Sequence, residues 1–195
     1  MAKKILGTRD QYYIQTNDGS VALFKDYFQK SKMIACGPNS AVMCADIAGW
    51  PQDVWTLHVQ ASDVLLMLFE NPNNLNMWKA IRNLNYDVYP PNEVPQLYPK
   101  ALELVYGKDV CQFVEGGLSL DVIKAAVDEG RPLQICGKFP CGGHYVSCVG
   151  YDGDKVVIND PYPANWGGNG YNHKIAWTDL NVFIDKWYLK YFTYE

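Results

Sequence analysis

The sequence has no long hydrophobic run. Its longest apolar stretch, Val64-Leu65-Leu66-Met67-Leu68-Phe69, is far short of the roughly 20 residues that cross a bilayer, so no membrane span is expected. It has no stripe of basic residues. Seventeen Lys and Arg stand against 21 Asp and Glu, a formal net charge of −4, which leaves a nucleic-acid partner without an electrostatic footprint. There is no internal repeat, no low-complexity tract and no Cys-Xaa-Xaa-Cys pair. Lys3 and Lys4 are followed by Gly7-Thr8-Arg9-Asp10 where a secretory signal would place its apolar region. No signal peptide is therefore expected, and a cytoplasmic or virion-associated, phage-encoded protein fits.

What is present is ordinary for a folded chain. Hydrophobic residues make up 48% and charged residues 19%, which excludes a disordered protein. A length of 195 residues suits one domain, 1–195, able to bury a core without staples or metals. The cysteines are Cys36, Cys44, Cys111, Cys136, Cys141 and Cys148. Their even number permits a disulfide framework, but a chain without a leader folds where thiols stay reduced, and most of these sit among apolar neighbours as small hydrophobes.

Local patterns place the elements. Residues 11–15 read as a short strand, Asn17-Asp18-Gly19 as a turn and 21–28 as a short amphipathic segment. Helices are expected over 36–48, with Pro38 in the first turn and Gly49 as stop, then over 62–70, 74–84 and 96–106. Ser119 can cap a helix over 120–129 that Gly130 closes. Strands follow at 132–136, 144–151 and 155–159, the last two joined as a hairpin at Asp152-Gly153. A strand at 173–177, a helix from Thr178 to Asp185 and a strand at 188–194 complete the chain. Helices first and antiparallel strands second indicate an α+β fold.

Three positions suggest chemistry. Cys36 stands at a helix start, where the dipole favours a thiolate and the free N–H can help hold an oxyanion. Taken alone, it reads better as a buried small apolar residue. His144 follows Gly142-Gly143 and opens a strand, a place from which an imidazole can reach a cleft and serve a cysteine as base. His58 and His173 have no such context and read as structural. A third group must orient the imidazole. Asn159 and Asp160 both end the paired strand, and side chains alternate faces along it. A three-residue hairpin loop sets Asp160 opposite Val146, on the His144 face, whereas a two-residue loop sets Asn159 there. Gln15 and Gln29, both upstream of Cys36, are candidate oxyanion donors.

Taken together, these blocks resemble a known group. Ala35-Cys36-Gly37-Pro38-Asn39-Ser40-Ala41-Val42-Met43 is similar to the nucleophile motif of papain-like bacterial cysteine peptidases, the group that includes the double-glycine leader peptidase domains of bacteriocin exporters. Gly142-Gly143-His144-Tyr145-Val146, Val149-Gly150-Tyr151-Asp152-Gly153 and Val157-Ile158-Asn159-Asp160-Pro161 resemble its His and Asn-Asp-Pro blocks, and 118–133 the helix that precedes them. The resemblance covers about 30–50 and 118–163. It implies a papain-like fold with the nucleophile at a helix N-terminus packed on an antiparallel sheet carrying His and Asp. It also implies a catalytic triad of Cys36, His144 and Asp160 acting through an acyl-enzyme. That group usually has its oxyanion Gln six positions before the Cys. Gln29 stands seven before, and Gln15 looks more like that of looser relatives.

The expected activity is that of a cysteine peptidase needing no cofactor. Its substrate would be a leader peptide, a host protein or a peptidoglycan peptide, with 51–117 a helical insertion or groove-shaping segment. Two other readings use the same residues. One is an inactive peptide-binding module, in which Tyr162, Trp166, Tyr171 and Trp177 line a groove. The other is an acyltransferase or amidase with the same triad. A zinc site at Cys136, Cys141, His144 and Cys148 has suitable ligand types but lacks the usual knuckle spacing.

Overall fold

The computed structural model describes residues 2–12, 36–50, 95, 98–99, 102–103 and 108–195. Its frame is a seven-stranded antiparallel sheet. The strands are β1 (Lys3–Ile5), β2 (Cys111–Glu115), β3 (Leu133–Phe139), β4 (Gly142–Asp152), β5 (Lys155–Asn159), β6 (His173–Ala176) and β7 (Ile184–Tyr191). They run in the order β2-β7-β3-β4-β5-β6, and β1 pairs with β4 beyond the end of β3. Helices among the described residues include α1 (Cys36–Ile47), α2 (Leu120–Asp128) and α3 (Trp177–Phe183).

The helices α1 and α2 belong to two separate core clusters. Cys36, Ala41, Cys44, Ala45 and Ala48 of the α1 segment pack with Tyr145 of β4 and with Leu189 and Tyr191 of β7. Small side chains let this helix approach the strands closely. Ile123, Ala126 and Val127 of α2 pack with Leu133, Ile135, Val146, Cys148, Val156 and Ile158. Neighbours Tyr145 and Val146 thus serve different clusters, as the alternation of a strand requires.

Polar contacts fix α1 where burial alone would allow it to slide. The Ser40 hydroxyl donates to the Tyr145 carbonyl at 3.0 Å, and the Ser147 hydroxyl donates to the Ser40 carbonyl at 3.0 Å. Gln134, fully buried on β3, donates its amide to the Gly37 carbonyl at 2.9 Å and accepts from the Tyr191 hydroxyl at 2.8 Å. Buried polar groups persist in a core when they are paired in this way.

The helix α2 has its expected punctuation. The Ser119 hydroxyl accepts from the Val122 N–H at 3.2 Å, and Gly130 closes the helix at φ 77°. Elsewhere the chain departs from expectation. Gln11 ends a 3-10 turn (Arg9–Gln11) rather than starting a strand, because its amide reaches back to the Thr8 N–H at 2.9 Å. Thr178 lies inside α3 and does not cap it. The helix starts a residue earlier, at Trp177, whose N–H is already committed to the Asp154 carbonyl at 3.0 Å. The last strand follows α3 directly and ends at Tyr191. β1 and β2 are additional to the expected strands, so the sheet is not built from the C-terminal half alone. β1 is admitted by Gly150, where a Cβ would meet the Lys4 carbonyl oxygen at 2.5 Å.

The expected helices over 62–70 and 74–84, the segment 21–28 and the 17–19 turn lie outside the described residues. Of 96–106, Tyr98, Pro99, Leu102 and Glu103 are described and helical. All six cysteines are unpaired. Among the described residues no helix is long and apolar enough to cross a membrane, and no group of three or more His, Cys, Asp or Glu side chains is arranged to hold a metal ion.

Candidate active site

The hairpin β4–β5 decides which residue faces His144. Asp152 pairs with Lys155 across a two-residue turn, Gly153-Asp154. By parity alone that turn would bring Asn159 to the His144 face. A bulge between Cys148 and Gly150 inserts one extra residue in β4, so Cys148 pairs with Ile158 and Ser147 with Asn159. The following position, Asp160, is thereby delivered to the His144 side. Asn159 is turned elsewhere and accepts from the Asn172 N–H at 2.9 Å.

His144 Nε2 lies 2.6 Å from Asp160 Oδ1, and both side chains are buried. This leaves Nδ1 as the ring nitrogen available to a thiol. Burial alone would push the imidazole's pKa down. Its hydrogen bonds with Asp160, Cys141 and Cys36 outweigh that effect and hold it up, at about 12. These partners favour the protonated form of the ring. Phe139 and Tyr162 meet it edge-on, with centroids at 5.7 and 6.4 Å.

Cys36 is the first residue of α1, buried, and touches the same imidazole. Its backbone N–H belongs to the first helical turn, whose N–H groups have no partner within the helix. Cys36, His144 and Asp160 thus come together from α1, β4 and the end of β5. The oxyanion candidates Gln15 and Gln29 lie outside the described residues.

The Asp160 carboxylate is fully buried and saturated with donors. Oδ1 accepts from the Tyr162 N–H at 2.7 Å as well as facing His144. Oδ2 accepts from the Trp166 indole N–H at 2.6 Å and from the Asn165 amide at 3.0 Å. The Asp160 N–H donates to the Gly170 carbonyl at 2.9 Å, and its own carbonyl accepts from the Tyr12 hydroxyl at 2.6 Å. Asn165 and Trp166 belong to a 3-10 turn (Pro163–Trp166) closed by Gly167 in the left-handed region, φ 65°. No periodicity announces such a turn in the sequence. Pro163 and Gly167 mark it only as irregular.

Of the residues weighed for zinc, Cys148 is fully buried with its thiol pKa pushed up to about 12 by burial, while Cys141 is exposed. Burial tends to raise the Cys141 pKa, but the charge and hydrogen bond of His144, with Asn165 at 3.4 Å, pull it below the ordinary thiol value. His173, read as structural, stacks on Trp166 at 4.2 Å, and burial lowers its pKa. Of the four aromatic residues considered for a groove, Trp166 instead binds Asp160, Tyr162 does so through its backbone, and Trp177 packs in the α2 core cluster.

Comparison with known proteins gives three findings. A Bacillus anthracis protein whose crystal structure is described as that of a C39-like peptidase shares the fold, with a TM-score of 0.54 over 98% of each chain at 14% sequence identity. No curated protein sequence matches. The family model described as "Peptidase_C39 like family" matches residues 12–193. That match spans nearly the whole sequence, and the chain belongs to the Peptidase_C39 like family.

Proposed function

We propose that this chain is a cysteine peptidase in which Cys36 is the nucleophile, His144 the general acid and base, and Asp160 the group that orients the imidazole. Family membership suggests cysteine peptidase activity. The observation that carries the finer reading is the buried 2.6 Å contact between His144 and Asp160, beside a cysteine at a helix N-terminus that touches the same ring.

The chemistry follows from those positions. The Cys36 thiol gives its proton to His144, and the resulting ion pair is favoured by the helix N-terminus on one side and Asp160 on the other. The thiolate attacks the substrate carbonyl carbon. Negative charge moves to the carbonyl oxygen, toward the Cys36 N–H and an amide from Gln15 or Gln29. When the C–N bond breaks, the imidazolium protonates the leaving amine. Water then attacks the thioester, giving its proton to His144, and the acid leaves as the thiol is restored. The substrate is a peptide or protein, and the chain works as a single domain.

The test is a proteome-derived peptide library incubated with the protein and with Cys36→Ser, each digest read by mass spectrometry. New termini that need Cys36 are expected. A library left intact by the wild type, with peptides retained on the protein, would replace this reading with that of a binding module. Transfer of the acyl group to an added amine instead of water would point to an acyltransferase.

A further inference from the structure

We infer that Trp166, together with Asn165, is a positioning residue for the Asp160–His144 pair: their N–H groups occupy Asp160 Oδ2 and so commit Oδ1 to the imidazole. This rests on the triad reading above and adds to it. A carboxylate offers about four lone-pair sites in its plane. Asp160 fills them with two donors on each oxygen: His144 and the Tyr162 N–H on Oδ1, Trp166 and Asn165 on Oδ2. No rotation of the carboxylate improves this arrangement, and none is possible without breaking charge-assisted bonds. The plane of the carboxylate sets the direction from which Nε2 is held, and therefore where Nδ1 points.

The indole is itself held in place. One face stacks on His173 at 4.2 Å and 22°, and Phe139 meets the ring at 89° with centroids 6.4 Å apart. Phe139 also meets His144, so one aromatic ring contacts both nitrogen heterocycles that bind opposite oxygens of Asp160. Among the described residues, the charged or titratable groups around this cluster are Cys36, Cys141, Tyr162, His173 and Tyr12, with Arg9 over the Tyr12 ring. Packing alone would be satisfied by any ring at 166. The 2.6 Å hydrogen bond is not, since only the indole N–H supplies it.

Trp166→Phe keeps a ring and removes that N–H. With one oxygen of a buried anion left unpaired, the carboxylate turns away from His144 or takes a proton, and either change weakens the imidazolium that supports the Cys36 thiolate. The experiment needs no substrate. Alkylation of Cys36 by iodoacetamide is followed against pH by peptide mass spectrometry in the wild type, His144→Ala, Trp166→Phe, Asn165→Ala and Trp177→Phe. The last removes an indole outside the Asp160 cluster. At pH 6.5, Trp166→Phe should slow Cys36 alkylation about tenfold or more, Asn165→Ala by less, and Trp177→Phe not at all. Near pH 10, where an ordinary thiol is ionised, all variants should converge.

A pH profile unchanged in both Trp166→Phe and Asn165→Ala, even with a lowered melting temperature, would make these side chains mere packing and overturn the inference. The triad reading would then stand, provided His144→Ala still loses the profile. If Trp166→Phe fails to fold, Asn165→Ala decides by the same criterion. A wild type whose Cys36 reacts no differently from that of His144→Ala would overturn the triad reading itself, and this inference with it.

Discussion

Asp160→Asn should lower Cys36-dependent turnover by about 10⁴-fold, the loss seen when a triad carboxylate elsewhere becomes its amide. The reason lies in the four donors around this side chain. An amide has one oxygen to receive two of them and an NH₂ that opposes the other two. If the oxygen stays with Trp166 and Asn165, the NH₂ faces His144 and the Tyr162 N–H. His144 must then present a bare Nε2 and carry its proton on Nδ1, the tautomer that cannot accept from Cys36. If the amide turns over, Trp166 and Asn165 lose their acceptor instead. Either way a buried pair is broken, which costs about 3–5 kcal/mol of stability. Turnover of a cleaved library peptide and denaturant unfolding measure the two losses separately. An Asp160→Asn variant with wild-type turnover would remove Asp160 from the mechanism.

The second large effect is expected at a residue with no side chain of its own. Gly170 is buried where a Cβ would collide with the Asp160 carbonyl oxygen and the Tyr12 hydroxyl. The same carbonyl accepts from Tyr12, and the Asp160 N–H donates to Gly170, so the two backbones cannot separate without breaking these bonds. Gly170→Ala should cost about 1–3 kcal/mol of stability, as overpacking does in other cores. It should also lower turnover by about 100-fold, because a displacement on the order of 1 Å at Asp160 is passed to His144. Gly143→Ala is the contrasting variant, since its added methyl meets none of the described residues within 4 Å. Equal stability losses in the two would show that Gly170 is not a steric anchor.

The parts of the fold legible in the sequence were those with local punctuation. Ser119 and Gly130 bracket α2, Gly49 follows α1, and Asp152-Gly153 marks the hairpin, because capping and turn chemistry act within a few residues. β1 and β2 were not legible. They are three and five residues long and are held by partners far along the chain, Asp152 to Gly150 for β1 and Trp187 to Tyr191 for β2. Thr178 looked like a cap because its type suits one, yet the Asp154 carbonyl had already fixed the start of α3.

The candidate site shows the same division. Cys36 and His144 stood out through neighbouring glycines and a helix start. The choice between Asn159 and Asp160 hung on the bulge near Val149, which has no local signature in an apolar strand. Trp166 and Asn165 could not be assigned to Asp160 from sequence, because a 3-10 turn curls back on the residue that precedes it without periodicity. Gln134 likewise reads as an ordinary strand residue, although it holds the first turn of α1 through the Gly37 carbonyl.

The most direct test of the central claim is the pH dependence of Cys36 alkylation in the wild type and in His144→Ala. Hydrogen bonds with Asp160, Cys141 and Cys36 favour the protonated ring of His144 against the penalty of burial. The wild-type rate should therefore be nearly flat between about pH 6 and 9, with Cys36 reacting as a preformed thiolate. In His144→Ala the rate should climb about tenfold per pH unit, as for an ordinary thiol below its pKa of about 8.5. Peptide mass spectrometry separates Cys36 from the exposed Cys141, which will also react. A wild-type profile that climbs like that of His144→Ala would contradict the thiolate–imidazolium pair and, with it, the peptidase mechanism proposed here.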